Sequence, residues 1–164
     1  MHRSLSRFFA AVLAVVYSTA LTADQVRRQG PVQVPIEVSL KVGGATYAAK
    51  GLGSCTHAPK ASIFGVLSEM WSVRQQADGR SLQLTLWKPT DGSGNMFSLS
   101  VNGAGTADIS TVRGGDVTGT GSVTLAPAAK GGTLTVNAKA KNGDSVAGTI
   151  KCEAFTPHIA DGGN

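Results

Sequence analysis

The side chains of this 164-residue chain that could do chemistry are two cysteines, the histidines beside them, and a tryptophan placed among amides. His57 follows Cys55 by two positions and His158 follows Cys152 by six, so a bond between the cysteines would draw both imidazoles towards one place. With Glu153 and Asp161 nearby, such a cluster could bind zinc or copper. Neither histidine has a partner at helical or strand spacing, and two surface histidines is the competing reading. Asp91-Gly-Ser93-Gly-Asn95 places oxygen-bearing side chains at alternate positions, as calcium loops do, but the rest of such a loop is missing and the segment reads as a strand connection. The glycine-rich runs at Ser110 to Gly115 and Gly119 to Gly121 open no helix and read as bends rather than phosphate cradles. No Gly-x-Ser-x-Gly elbow occurs, and no motif calls for a cofactor.

Trp87 carries the strongest hint of a binding site. If Leu82, Leu84 and Leu86 point into a core, strand parity sends Trp87 to the opposite face, with Ser81, Gln83 and Thr85 and, across the strand, Met70, Ser72, Arg74 and Gln76. A tryptophan near amides and an arginine suits a flat sugar or peptide, because ring faces stack and amides orient. The expected ligand-binding set is therefore Met70, Arg74, Gln83 and Trp87. The competing reading has Trp87 closing one end of the fold beneath Lys88-Pro89.

The cysteines fix compartment and closure rather than catalysis. Arg3 and Arg7, the apolar run from Phe8 to Tyr17 and the small residues Ser18-Thr19-Ala20 read as a secretory signal over 1–23, cut after Ala20 or Ala23. That run is far shorter than the roughly 20 residues of a membrane helix, so no span is expected in the mature chain. In an oxidising compartment Cys55 and Cys152 are expected to pair, closing a loop of roughly 100 residues that the chain-entropy model values at about 4 to 5 kcal/mol. Without Arg3 and Arg7 the charge falls to a modest excess of Lys and Arg, scattered except at Arg27-Arg28, which argues against nucleic acid as a partner.

The elements that must position these residues are strands. No segment beyond the signal sustains a 3.6-residue apolar period, whereas Ile36 to Val42 alternates strictly and Gly43-Gly44 turns it back so that Leu40 faces Tyr47. An Asp78-Gly79 turn of two residues sets Val73 against Leu84 and Trp71 against Leu86. A three-residue loop, Lys141-Asn142-Gly143, sets Ala138 against Val146 and Leu134 against Ile150, with Gly143 at the left-handed position of a bulged turn. Phe97 to Val101, Ile109 to Val112 and Ser122 to Leu125 complete about nine strands. Residues 56–69 fit a short helix or an irregular crossing, and 24–33 and 156–164 read as flexible segments. The expectation is an all-β chain, one antiparallel β-sandwich or barrel over 34–155, closed by one disulfide.

The stretch from Gly53-Ser-Cys55 to Gly148-Thr-Ile-Lys-Cys152, alternating strands between edge cysteines, resembles the small exported β-domains of bacterial surface lipoprotein antigens. The lipid-attachment cysteine of that group is absent here. The resemblance implies the fold and a binding or envelope role. The function expected is an exported, periplasmic or extracellular binding module without catalysis, its partner an envelope component, a glycan or a protein. An exported inhibitor or chaperone covering a partner protein, and a secreted hydrolase, are the alternatives.

Overall fold

The computed structural model describes residues 32–158. The secretory signal over 1–23, Arg27-Arg28 and Asp161 lie outside the described residues. Nine antiparallel strands follow in order: β1 Gln33–Val42, β2 Ala45–Ile63, β3 Val66–Ala77, β4 Arg80–Pro89, β5 Met96–Asn102, β6 Ala107–Ser110, β7 Gly119–Pro127, β8 Gly132–Ala140 and β9 Ser145–Cys152. A two-residue strand, β10 Thr156–Pro157, runs parallel to β2. Among the described residues no helix is long and apolar enough to cross a membrane.

The strands form one sheet in the order β6-β5-β4-β3-β2-β1-β9-β8-β7, which curls until its two edges almost meet. Thr118 stitches those edges: its N–H donates to Ser110 O at 3.0 Å, its Oγ1 accepts from Ser110 N at 2.8 Å, and its carbonyl accepts from Lys141 N. The expected all-β barrel or sandwich is thus a nearly closed barrel. Inside it the alternation is strict. Val34, Ile36, Val38, Leu40 and Val42 of β1 are buried with Val73, Leu84, Leu99, Ile109, Val136 and Ile150, and each such side chain contributes about 1.5 to 3 kcal/mol of transfer free energy.

The hairpin registers follow the turn chemistry. Leu40 pairs with Tyr47, Val73 with Leu84 and Trp71 with Leu86. Asp78 and Gly79 both have positive φ, as a two-residue primed turn requires. Ala138 pairs with Val146 and Leu134 with Ile150 around Gly143 at φ 95°. Four expectations need correction. Residues 56–69 are neither helix nor irregular crossing: β2 continues to Ile63 and turns at Phe64-Gly65 into β3, with a bulge between Ala58 and Ala61 where Pro59 can donate no ladder bond. The strand expected at Ile109 to Val112 is Ala107–Ser110 instead. Gln33 belongs to β1 rather than to a flexible lead-in. The tail is held as far as His158, whose N–H donates to His57 O at 3.0 Å.

Cys55 and Cys152 are bonded, with Cα atoms 6.2 Å apart and both residues in the core. Close by, the sheet forks. β2 pairs with β1 from Ala45 to Ser54 but with β3 only from Ser54 onward, while β3 pairs with β4 as far as Ala77. The gap opens at Gly53, where a Cβ would lie 2.5 Å from Ile36 Cδ1 and 2.6 Å from Arg74 O. Its far end is bridged by Arg80, whose Nη1 donates to Ala48 O at 3.4 Å and whose guanidinium lies 5.9 Å from the Tyr47 ring centroid.

Replacing both cysteines by serine should lower unfolding free energy by about 4 kcal/mol, read from urea midpoints at constant m; a loss under about 1 kcal/mol would mean that the strand ladder alone closes the barrel. A second expectation concerns pH. Burial raises the Tyr47 phenol above its ordinary 10.0, with Arg80 pulling partly back. Because the folded value is the raised one, this contribution is complete below pH 10.0 and disappears as pH climbs through the folded value. Tyr47→Phe should therefore flatten the alkaline limb of the stability curve above about pH 10, relative to wild type.

Candidate functional site

Strand parity and register together place the outward side chains of β2 to β6 in rows that cross the sheet. One row is polar: Gln33, Ser54, Arg74, Gln83, Ser100 and Asp108 are successive cross-strand partners on six strands. The next row consists of hydroxyls: Thr56, Ser72, Thr85, Ser98 and Ser110. Beyond it lies an apolar row, Ala58, Met70, Trp87 and Met96. The small hydroxyl residues form the floor between two taller walls. Thr56, Ser72 and Thr85 are buried although they point away from the barrel core.

The four residues expected to bind a ligand share this face. Met70 pairs with Trp87, and Arg74 pairs with Gln83 one row beyond the hydroxyls. Trp87 is partly buried, held between Met70 and Met96, so its nearest companions are methionines rather than amides. Arg113 N donates to Met96 Sδ at 3.4 Å, which carries the loop after β6 to the apolar row. Pairing with Leu86 points Trp71 towards the core. It is partly buried at the core's margin, stacked on His57 with centroids 4.7 Å apart and planes 9° from parallel.

The two histidines do not share a face. His57 lies on the inner side of β2 against Trp71, its Nε2 buried without a hydrogen-bond partner among the described residues. His158 lies over Thr56 on the outer side, its Nδ1 3.3 Å from Thr56 Oγ1. Among the described residues no three His, Cys, Asp or Glu side chains converge as a metal would need. The Asp91 loop is an Asx turn: Asp91 Oδ1 accepts from Ser93 N at 2.9 Å, the Ser93 hydroxyl first and this N–H second hold the carboxyl below its ordinary value, and Arg113 Nη2 donates to Ser93 Oγ at 2.6 Å.

Sequence reasoning missed two parts of the face. Met96, Ser98 and Ser100 were accessible to it, since Phe97-Ser-Leu99-Ser-Val101 already assigns the outward positions. The fork was not. There the polar row opens into a cleft of about 400 Å³ lined by Gln33, Ser54, Arg74, Gln75, Gln76 and Gln83 among others. Gln75 is 3% exposed, and its Oε1 has no partner among the described residues. No family model, curated protein or solved structure matches the chain.

The two tryptophans should differ in what they hold together. Trp71→Ala removes core packing and the His57 stack and should cost about 3 kcal/mol, whereas Trp87→Ala on the outer face should cost about 1 kcal/mol. Equal large losses in urea unfolding would make Trp87 a structural residue.

Proposed function

We propose that the chain is an exported binding module, working in the periplasm or outside the cell, that recognises an envelope component through the outer face of β3 and β4 without catalysis. One observation carries this reading. Met70, Trp87, Arg74 and Gln83 form two cross-strand pairs on one face, with the hydroxyls of Ser72 and Thr85 between them. Stacking surface, hydroxyls, amide and cation are thus offered in order along two strands that are paired on both sides. Such strands move little, so the side chains are held ready before a ligand arrives. The disulfide is compatible with export. No His, Cys, Asp or Glu lines the cleft at the fork, which gives the hydrolase alternative no support there.

The inhibitor or chaperone reading has one observation of its own. The β2–β3 hairpin ends in Phe64, 64% exposed and at φ 47°, with Leu67 68% exposed beside it. An aromatic residue at positive φ is an outlier, and such strain gathers at functional sites.

Passing an envelope extract over the immobilised chain, eluting what is retained and titrating it back separates the two. Trp87→Ala should weaken affinity about thirtyfold, as loss of an aromatic anchor worth 2 kcal/mol does, while Phe64→Glu leaves it unchanged. The reverse pattern would favour a partner protein held at the hairpin tip.

A further inference from the structure

The fork between β2 and β3 is shaped and charged for one kind of ligand. Arg74 sits at the last rung before the strands part, where β2 still pairs with it through Ser54. Its guanidinium has no ion pair among the described residues; the pair found there, Lys50 with Glu37, lies elsewhere. Along its own row the first carboxylate is Asp108, three strand spacings or roughly 14 Å away, beyond effective screening distance at physiological salt. Around Arg74 the cleft offers glutamine amides and serine hydroxyls and no carboxylate. Gln75 pairs with Leu82 of the core and turns its side chain to the inner side of the sheet, so the outward groups beside Arg74 are Gln33, Gln76 and Gln83.

We infer that this cleft is the subsite for the anionic group, a uronate carboxylate or a sulfate ester, of an acidic oligosaccharide whose sugar ring stacks on Trp87. The inference rests on the reading of the outer face as a recognition surface. The distance from the Trp87–Met70 pair to the Arg74–Gln83 pair is four residues, roughly 13 Å of strand, too far for one sugar ring and suited to several. The hydroxyls of Ser72 and Thr85 lie between on residues that are largely buried, yet the oxygens themselves stay accessible, and neither makes a hydrogen bond to another described residue that would occupy it. A peptide is the poorer fit. It would add to a free sheet edge, but β3 and β4 are paired on both sides between Met70 and Arg74. The unpaired edge of β2 within the fork is closed at one end by the Ser54–Arg74 pair and at the other by the Arg80 bond to Ala48. A planar guanidinium meets a carboxylate or sulfate through two parallel N–H bonds, which gives the acidic sugar its selectivity over a neutral one.

The test titrates the full chain calorimetrically with four probes: tetragalacturonate, a heparin tetrasaccharide, neutral cellotetraose, and a glutamate peptide of matched charge. At least one acidic sugar should bind at least about tenfold tighter than cellotetraose, and Arg74→Gln should remove that margin. Which acidic sugar wins tells carboxylate from sulfate. Trp87→Ala should weaken acidic and neutral sugars alike. Equal affinity for acidic and neutral sugars, or no effect of Arg74→Gln, overturns the anionic subsite, and the outer face survives that result if Trp87→Ala still weakens binding. Binding of the glutamate peptide as tightly as of the sugars, or of none of the sugars, overturns the carbohydrate assignment. If the captured envelope component is also indifferent to Trp87→Ala, the recognition surface itself falls.

Discussion

Strand β2 changes partners at Ser54, and most of the molecule is arranged around that exchange. Ser54 is paired on both sides, to Gln33 of β1 and Arg74 of β3. Its neighbour Gly53 has no room for a Cβ, and its other neighbour Cys55 is tied to Cys152 in β9. Three consecutive residues therefore fix the place where one half of the sheet is handed to the other. A single 19-residue strand can serve both halves only if it bends there, and a bend in a barrel opens one edge. The opened edge is the fork, with Arg74 at its rim and Arg80 across its far end.

The barrel was legible where two independent signals agreed. Glycine or Asp-Gly at a turn and apolar residues on alternate positions each permit several registers; together they permit one, because a slip of one residue turns Val73 or Ile150 out into water. Where one signal was absent the reading failed. Residues 56–69 carry Ala58, Pro59, Lys60 and Ala61, none of which marks a strand face, and the bulge there resets the parity on which any pattern would depend. The parallel bridge of Thr156 and Pro157 to β2 is too short to need an apolar pattern at all.

Parity told which side each candidate side chain would take but not how deep it would lie. Trp71 and Trp87 fall on the expected sides, yet both are partly buried, since depth is set by neighbours remote in sequence: His57 beneath one, Met96 beside the other. The histidines show the same limit. Proximity to a disulfide brought His57 and His158 to adjacent rungs of β2, but adjacent rungs face opposite ways, so nearness along the chain became separation by the thickness of the sheet.

The outer face also has an energetic logic that composition alone conceals. On a solvated strand surface, serine and threonine in a row are unremarkable, and the hydroxyls of Thr56, Ser72 and Thr85 would ordinarily be fully hydrated. Here they are shielded by Arg74 and Gln83 on one side and by Met70, Trp87 and Met96 on the other, without taking protein partners at Ser72 or Thr85. Polar groups that are partly desolvated but not yet satisfied are the ones that gain most from a ligand able to complete their bonds, since part of their dehydration has already been met by the fold. On the inner side, at the rung where the sheet opens, Gln75 pairs with Leu82 and is 3% exposed, and its Oε1 has no partner among the described residues. The partner exchange of β2 and the unpaired carbonyl of Gln75 thus meet at neighbouring rungs, where the ladder between β2 and β3 has parted and supplies no further hydrogen bonds.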